Sequence, residues 1–178
     1  MQIKQNLPKR KPNRLEHHDY SSAGAYFITV CTKDRKPLFW QDNHQVIFVG
    51  EDTILPQKQI ILSPYGKIVE NAIESISVHY PGGEIMNYVI MPNHLHMILF
   101  LPEFCTNGRI ISSPTTNAKS VSTIIGQMKR IVSKNIGVPI WQRSFHDHII
   151  RNEKDYCNIA EYIYNNPIYW KNDCFYNE

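Results

Sequence analysis

The sequence lacks most of the short signatures that assign a chemistry at sight. Its four cysteines, Cys31, Cys105, Cys157 and Cys174, form no CxxC pair, which argues against a zinc knuckle or a redox dithiol and for reduced thiols in a cytoplasmic protein. No GxxxxGK(S/T) loop is present, so phosphate cradling of the P-loop kind is excluded. No N-terminal stretch joins a charged start to an apolar core and a small-residue cleavage site. The most apolar region, residues 85–101, is broken by Asn87, Asn93, His94 and His96, so neither secretion nor membrane spanning is expected. No internal repeat occurs. A length of 178 residues suits one domain with a proper core and rules out a large multidomain enzyme.

Acidic residues are missing from the first fourteen positions, which carry Lys4, Lys9, Arg10, Lys11 and Arg14. That segment holds +5 against a total of +3 for the chain, leaving the rest at −2. The basicity therefore belongs to an arm, expected over residues 1–20, ahead of a single folded domain over 21–178. Such an arm is either a solvated tail or a means of holding nucleic acid.

What is present reads as alternating strands and helices. Tyr26 to Thr32 is β-branched and aromatic, a first strand. Residues 33–62 are weakly patterned, with a short strand expected at 59–62. Ser63 as N-cap and Pro64 in the first turn open a helix whose apolar stripe is Ile68, Val69, Ala72, Ile73 and Ile76. Two strands over 84–101 meet at Pro92-Asn93, since proline cannot donate to a ladder. A polar loop over 103–119 leads to a helix capped by Ser120 with the stripe Val121, Ile124, Ile125, Met128 and Val132. A fourth strand falls within 141–151, and Asn152 opens a last helix that ends near Pro167. The expected fold is α+β: a ferredoxin-like βαββαβ antiparallel sheet with helices on one face and an appended C-terminal helix.

Two segments carry chemistry. In Pro92-Asn93-His94-Leu95-His96, strand alternation puts both histidines on one face and Leu95 on the other. Two imidazoles so placed can aim at one ion, or they are two polar side chains on a half-solvated sheet. A histidine-triad hydrolase would need a third histidine where Ile98 stands, and an amidohydrolase barrel needs a longer chain. In the last helix, Asn158, Tyr162 and Asn166 recur every four residues and line one edge. The amide of Asn166 is an acceptable hard ligand one turn from a phenol; equally, Tyr162 is an ordinary boundary aromatic. A second pair, His146 and His148 flanking Asp147, is either a competing metal site or a set of structural side chains.

Together, His94-Leu95-His96 on a strand and Tyr162 with Asn166 on a late helix resemble the single-tyrosine HUH transposases, closest to the REP-associated branch. The resemblance runs along most of the chain, through Asp19-Tyr20, residues 25–32, Tyr88 to His96, Trp141-Gln142, Asp147-His148 and Tyr162 to Pro167. It implies the ferredoxin-like fold, His94, His96 and Asn166 as ligands of a divalent metal, Mg²⁺ or Mn²⁺, and Tyr162 as nucleophile. Insertion-sequence relatives more often carry Gln where Asn166 stands. The implied reaction is nicking and rejoining of single-stranded or hairpin DNA, at element ends or REP-type palindromes, through a 5′-phosphotyrosine.

The same resemblance gives the cations of Lys9, Arg10, Lys11 and Arg14, and of Lys129 and Arg130, a use on DNA phosphates. For the helix cations a solvated face is an equal reading. By the same resemblance both a homodimer with exchanged tyrosine helices, as in insertion-sequence relatives, and a monomer whose arm covers the site, as in the REP-associated branch, stay open. The alternative function is a non-catalytic hairpin DNA or RNA binder on the same fold.

Overall fold

The computed structural model describes residues 15, 18–41, 46–49, 57–80, 83–103, 105–106, 109–110 and 120–176. The arm cations Lys9, Arg10, Lys11 and Arg14 lie outside the described residues. In chain order the elements are β1 (Gly24–Cys31), β2 (Val46–Val49), β3 (Gln57–Ile60), α1 (Pro64–Glu74), α2 (Ile76–His79), β4 (Glu84–Ile90), β5 (His94–Leu101), β6 (Cys105–Thr106), β7 (Arg109–Ile110), α3 (Val121–Ile136), β8 (His146–Ile150) and α4 (Glu153–Asn165). Strands β4, β5, β1 and β8 lie side by side in that order and every pairing is antiparallel, so the expected ferredoxin-like α+β fold is present.

Helix starts follow local chemistry. Oγ of Ser63 accepts from the Gly66 amide at 3.1 Å, Oγ of Ser120 accepts from Thr123 at 3.3 Å, and Oδ1 of Asn152 accepts from Asp155 at 2.9 Å. Each satisfies an N–H that the first turn leaves without a partner. Gly137, at φ +88°, ends α3 in the left-handed conformation that glycine tolerates best. Gly66 is required for a different reason: a Cβ there would lie 2.3 Å from the carbonyl oxygen of Phe39.

Alternation divides the sheet into two faces. Ile28, Val30, Leu95, Met97 and Leu99 are fully buried on one, each contributing about 1.5–3 kcal/mol by leaving water. The start of α3 is docked on that side: the Val121 amide donates to the Tyr20 carbonyl at 2.9 Å, and the Tyr20 hydroxyl donates to Asp147, which lies opposite Ile28. α1 packs beside α3. The other face carries Phe27, Thr29 and Cys31 beside Ile98, His96 and His94 in register, and α4 lies across it.

Three details depart from the sequence expectation. The strand expected at 59–62 is β3, which ends at Ile60 and pairs with β2, a strand not foreseen; Leu62 instead bridges to Trp40. The loop expected over 103–119 contains the two-residue ladder of β6 and β7. β1 begins at Gly24 because Leu101 and Ile150 on its neighbours extend the ladder past Tyr26. Such short ladders are set by pairing partners rather than by their own pattern.

Candidate metal and nucleophile site

β5 is an interior strand, and His94 and His96 are 0% and 2% exposed, so the expectation of a half-solvated face fails for this pair. Their orientation is fixed by neighbours. The amide nitrogen of Asn93 donates to the carbonyls of Phe175 at 2.7 Å and Arg35 at 3.2 Å, which turns its oxygen toward Nδ1 of His94 at 2.8 Å. Nδ1 of His94 therefore carries the proton and Nε2 offers its lone pair. Nδ1 of His96 lies 2.8 Å from Oγ1 of Thr29, its cross-strand partner, and Phe27 stacks on the His96 ring. The two Nε2 atoms face each other at 3.0 Å.

Burial pushes both imidazoles down to about 3; the charge of Arg35 adds to this at His94, and His94 adds to it at His96. Both rings are neutral at pH 7, the form that ligates metal. At 3.0 Å the two Nε2 atoms are close enough for a single ion to reach both.

Tyr162 is brought to the pair by α4 of the same chain. Its hydroxyl lies 3.3 Å from Nε2 of His96, and its ring meets Phe27 and His96 edge-on. Although 42% of the residue is exposed, the phenol end points inward, and burial pushes its pKa up to about 12. The carboxylate of Asp173 raises it further, while a hydrogen bond from Asn166 acts the other way. Asn166 caps α4 and is 4% exposed, and its side-chain oxygen is buried without a hydrogen-bond partner. A buried amide oxygen left bare beside two neutral imidazoles fits a hard divalent cation.

Sequence reasoning missed the residues that orient the site. Asp173, beyond the 3-10 turn Trp170–Asn172, brings a carboxylate oxygen to His94 and His96 such that the three ligand atoms lie within 4.8 Å of one another. The Phe175 amide donates to its Oδ1 at 2.6 Å, and the Phe175 ring packs over His94. Thr29 and Asn93 were equally hidden, being ordinary in a strand and a turn. The one available signal for Asn93 was its place directly before the first histidine.

The remaining candidates are separate from this cluster. His146 and His148 are exposed on β8; His148 pairs with Asp155 at 2.9 Å, and Asp147 faces the opposite side toward Tyr20. Among the described residues the only group of three acidic, histidine or cysteine ligands is His94, His96 and Asp173, so the second HxH forms no competing centre there. Lys129 is half-buried and donates to the carbonyls of Gln142 at 2.7 Å and Ser144 at 2.6 Å, tying α3 to the turn before β8. Arg130 is exposed. No helix among the described residues is long and apolar enough to cross a membrane.

A ferredoxin-like sheet with a buried His-x-His pair and a helix-borne tyrosine against it has the architecture of a single-tyrosine transposase. No family model matches the chain. It is 36% identical to an uncharacterized protein of Haemophilus influenzae over 94% of its own length and 93% of the relative's. To the REP-associated tyrosine transposase of Escherichia coli it is 29% identical over 84% of its length, covering 69% of that protein. Among solved structures it is similar to a REP-associated tyrosine transposase bound to a REP hairpin, with a TM-score of 0.56, 25% identity, and coverage of 87% of this chain and 73% of that one. In sequence and in fold the chain is similar to the REP-associated tyrosine transposases.

Proposed function

We propose that this protein is a cytoplasmic, metal-dependent endonuclease and strand transferase that nicks and rejoins hairpin-forming single-stranded DNA through Tyr162. The observation that carries the reading is the meeting of Tyr162 with the buried pair: its hydroxyl stands 3.3 Å from His96 Nε2 within one chain. The REP hairpin bound by the solved relative supports hairpin DNA as the partner.

His94, His96 and Asn166 would hold a divalent ion, Mg²⁺ or Mn²⁺, with Asp173 within reach. When bound, such an ion supplies Lewis-acid polarisation of the scissile phosphate. The protein's own residues do the rest. Asn93 holds the His94 imidazole in the ligating tautomer, and Thr29 holds the His96 ring in orientation. Phe27 fixes the Tyr162 ring edge-on, so its oxygen is presented to the site rather than to solvent.

Tyr162 attacks phosphorus, its phenol gives up a proton, and the P–O3′ bond breaks. The products are a 5′-phosphotyrosine and a 3′ oxygen that takes up a proton. Attack by a 3′-hydroxyl on the phosphotyrosine reverses the sequence, and because one phosphodiester replaces another, no nucleotide hydrolysis is needed. The arm cations Lys9, Arg10, Lys11 and Arg14, with Arg130, would grip phosphates and make affinity fall with salt. Lys129 would add its charge while keeping its two carbonyl bonds.

Wild-type protein incubated with labelled hairpin oligonucleotide and Mn²⁺ should yield a covalent adduct on a denaturing gel. Tyr162→Phe should lose the adduct and keep hairpin binding; an adduct that persists in the variant overturns the assignment. Hairpin binding indifferent to EDTA, with no adduct under any divalent ion, would leave a non-catalytic binder.

A further inference from the structure

Beside Tyr162, α4 and the segment after it line an open cleft of about 500 Å³ whose wall includes Asn166 and Asp173 of the proposed metal site. Ligand pockets run from about 300 to 1,000 Å³, so one nucleotide fits. Its lining decides which part of a nucleotide belongs there. Apart from Asn166 and Asp173, the amides of Asn158, Asn165 and Asn172 and the carboxyl group of Glu161 line it, and among the described residues no lysine or arginine does. Outside the metal-site wall a phosphate would meet the Glu161 carboxylate and no cation of the described residues. A base edge would meet acceptors for its amino hydrogens and amides that both donate and accept. Tyr169, 60% exposed on the same wall, offers a flat ring on which a base can stack.

We infer that this cleft is a subsite for a single unpaired base next to the scissile phosphate, and that it selects bases carrying an exocyclic amine, cytosine, adenine or guanine, over thymine. Glu161 accepts from that amine, Asn158 and Asn172 bracket the rest of the edge, and Tyr169 stacks on the face. Thymine presents carbonyl oxygens flanking one N–H, so its acceptors would face the Glu161 carboxylate. The inference rests on the proposed DNA reaction for its location, since Tyr162 forms one wall of the cleft. Base preference is nevertheless measurable without catalysis.

Binding is read by fluorescence anisotropy with Tyr162→Phe protein and a labelled hairpin. The hairpin bears a short single-stranded extension of repeated dA, dC or dT, placed at its 5′ or its 3′ end. On one end, dA and dC should bind at least about fivefold tighter than dT, the lower end of what one well-made base contact supplies. Adding Glu161→Gln and Asn158→Ala should bring the three extensions within about twofold of one another. Tyr169→Ala should weaken all extensions by about tenfold, as loss of one stacking partner does, and leave the unextended hairpin unchanged. Equal binding of dT, or a preference that survives the Glu161 and Asn158 changes, overturns the subsite. Wild-type adduct formation is scored separately. A base preference without any adduct retains the subsite and removes the nicking reaction, whereas an adduct without preference does the reverse.

Discussion

The chain carries two His-x-His pairs on one face of one sheet, and they differ in almost every physical respect. His96 and His146 both lie opposite Thr29, on either side of β1. Yet β5 is interior and covered by α4 and the chain end, while β8 is an edge strand with both histidines exposed. The buried pair is neutral, held by Asn93 and Thr29, and turned so that the two Nε2 atoms meet at 3.0 Å. At the edge, His148 is tied to a carboxylate on α4 and Asp147 to a tyrosine on the far face. The motif alone confers nothing; burial, which removes the proton, and orienting partners, which aim the ring, make one pair fit to ligate and leave the other at the surface.

The largest test of that contrast is metal affinity. His94→Ala or His96→Ala should lower Mn²⁺ binding by more than about a hundredfold in calorimetric titration, beyond what loss of an outer partner costs. His146→Ala should leave it within about twofold, and a large loss there would erase the distinction. Next in size is the orienting hydroxyl: Thr29→Val keeps the strand but removes the partner of His96 Nδ1, with an expected loss of about 10–100-fold in the same titration.

A third test uses protons. In EDTA-treated protein the folded state holds both rings neutral to about pH 3, whereas the unfolded chain protonates them near 6.5. The unfolded state thus binds more protons below pH 6.5, so stability is intact above that value and declines as pH falls toward 3. The slope is about 1.4 kcal/mol per pH unit for each ring. Urea midpoints at pH 7 and 5.5 should show the decline in wild-type protein, a smaller one in His96→Gln, and no change of slope in His146→Ala. The smallest effect is expected for His148→Ala, which breaks an exposed ion pair and should leave the thermal midpoint unchanged within error.

Much of the architecture was legible because it is written in local chemistry. Ser63, Ser120 and Asn152 cap the helices they were expected to cap, and the apolar stripes of α1 and α3 are the buried ones. The β2–β3 and β6–β7 ladders were not legible, since two short strands take their definition from each other. At the candidate site, His94, His96, Tyr162 and Asn166 stood out because residue types able to ligate a metal or attack a phosphate are few. Asp173, Thr29 and Asn93 did not, because a carboxylate in a tail, a threonine in a strand and an asparagine in a turn have many uses. Lys129, read as DNA-facing or solvated, also holds two carbonyls in place, which its helix position does not announce.

The sequence by itself determined the strand and helix order, the shared face of each histidine pair and the column of Asn158, Tyr162 and Asn166. All three follow from backbone periodicity, which depends only on neighbours along the chain. Tertiary structure alone decided which histidine pair is buried, that Tyr162 meets the histidines of its own chain, and that Asp173 joins them. Those outcomes depend on which strand is interior, where α4 lies, and how the chain returns across the sheet. Each is a contact between residues far apart in sequence, set by burial of the whole apolar surface rather than by any local pattern.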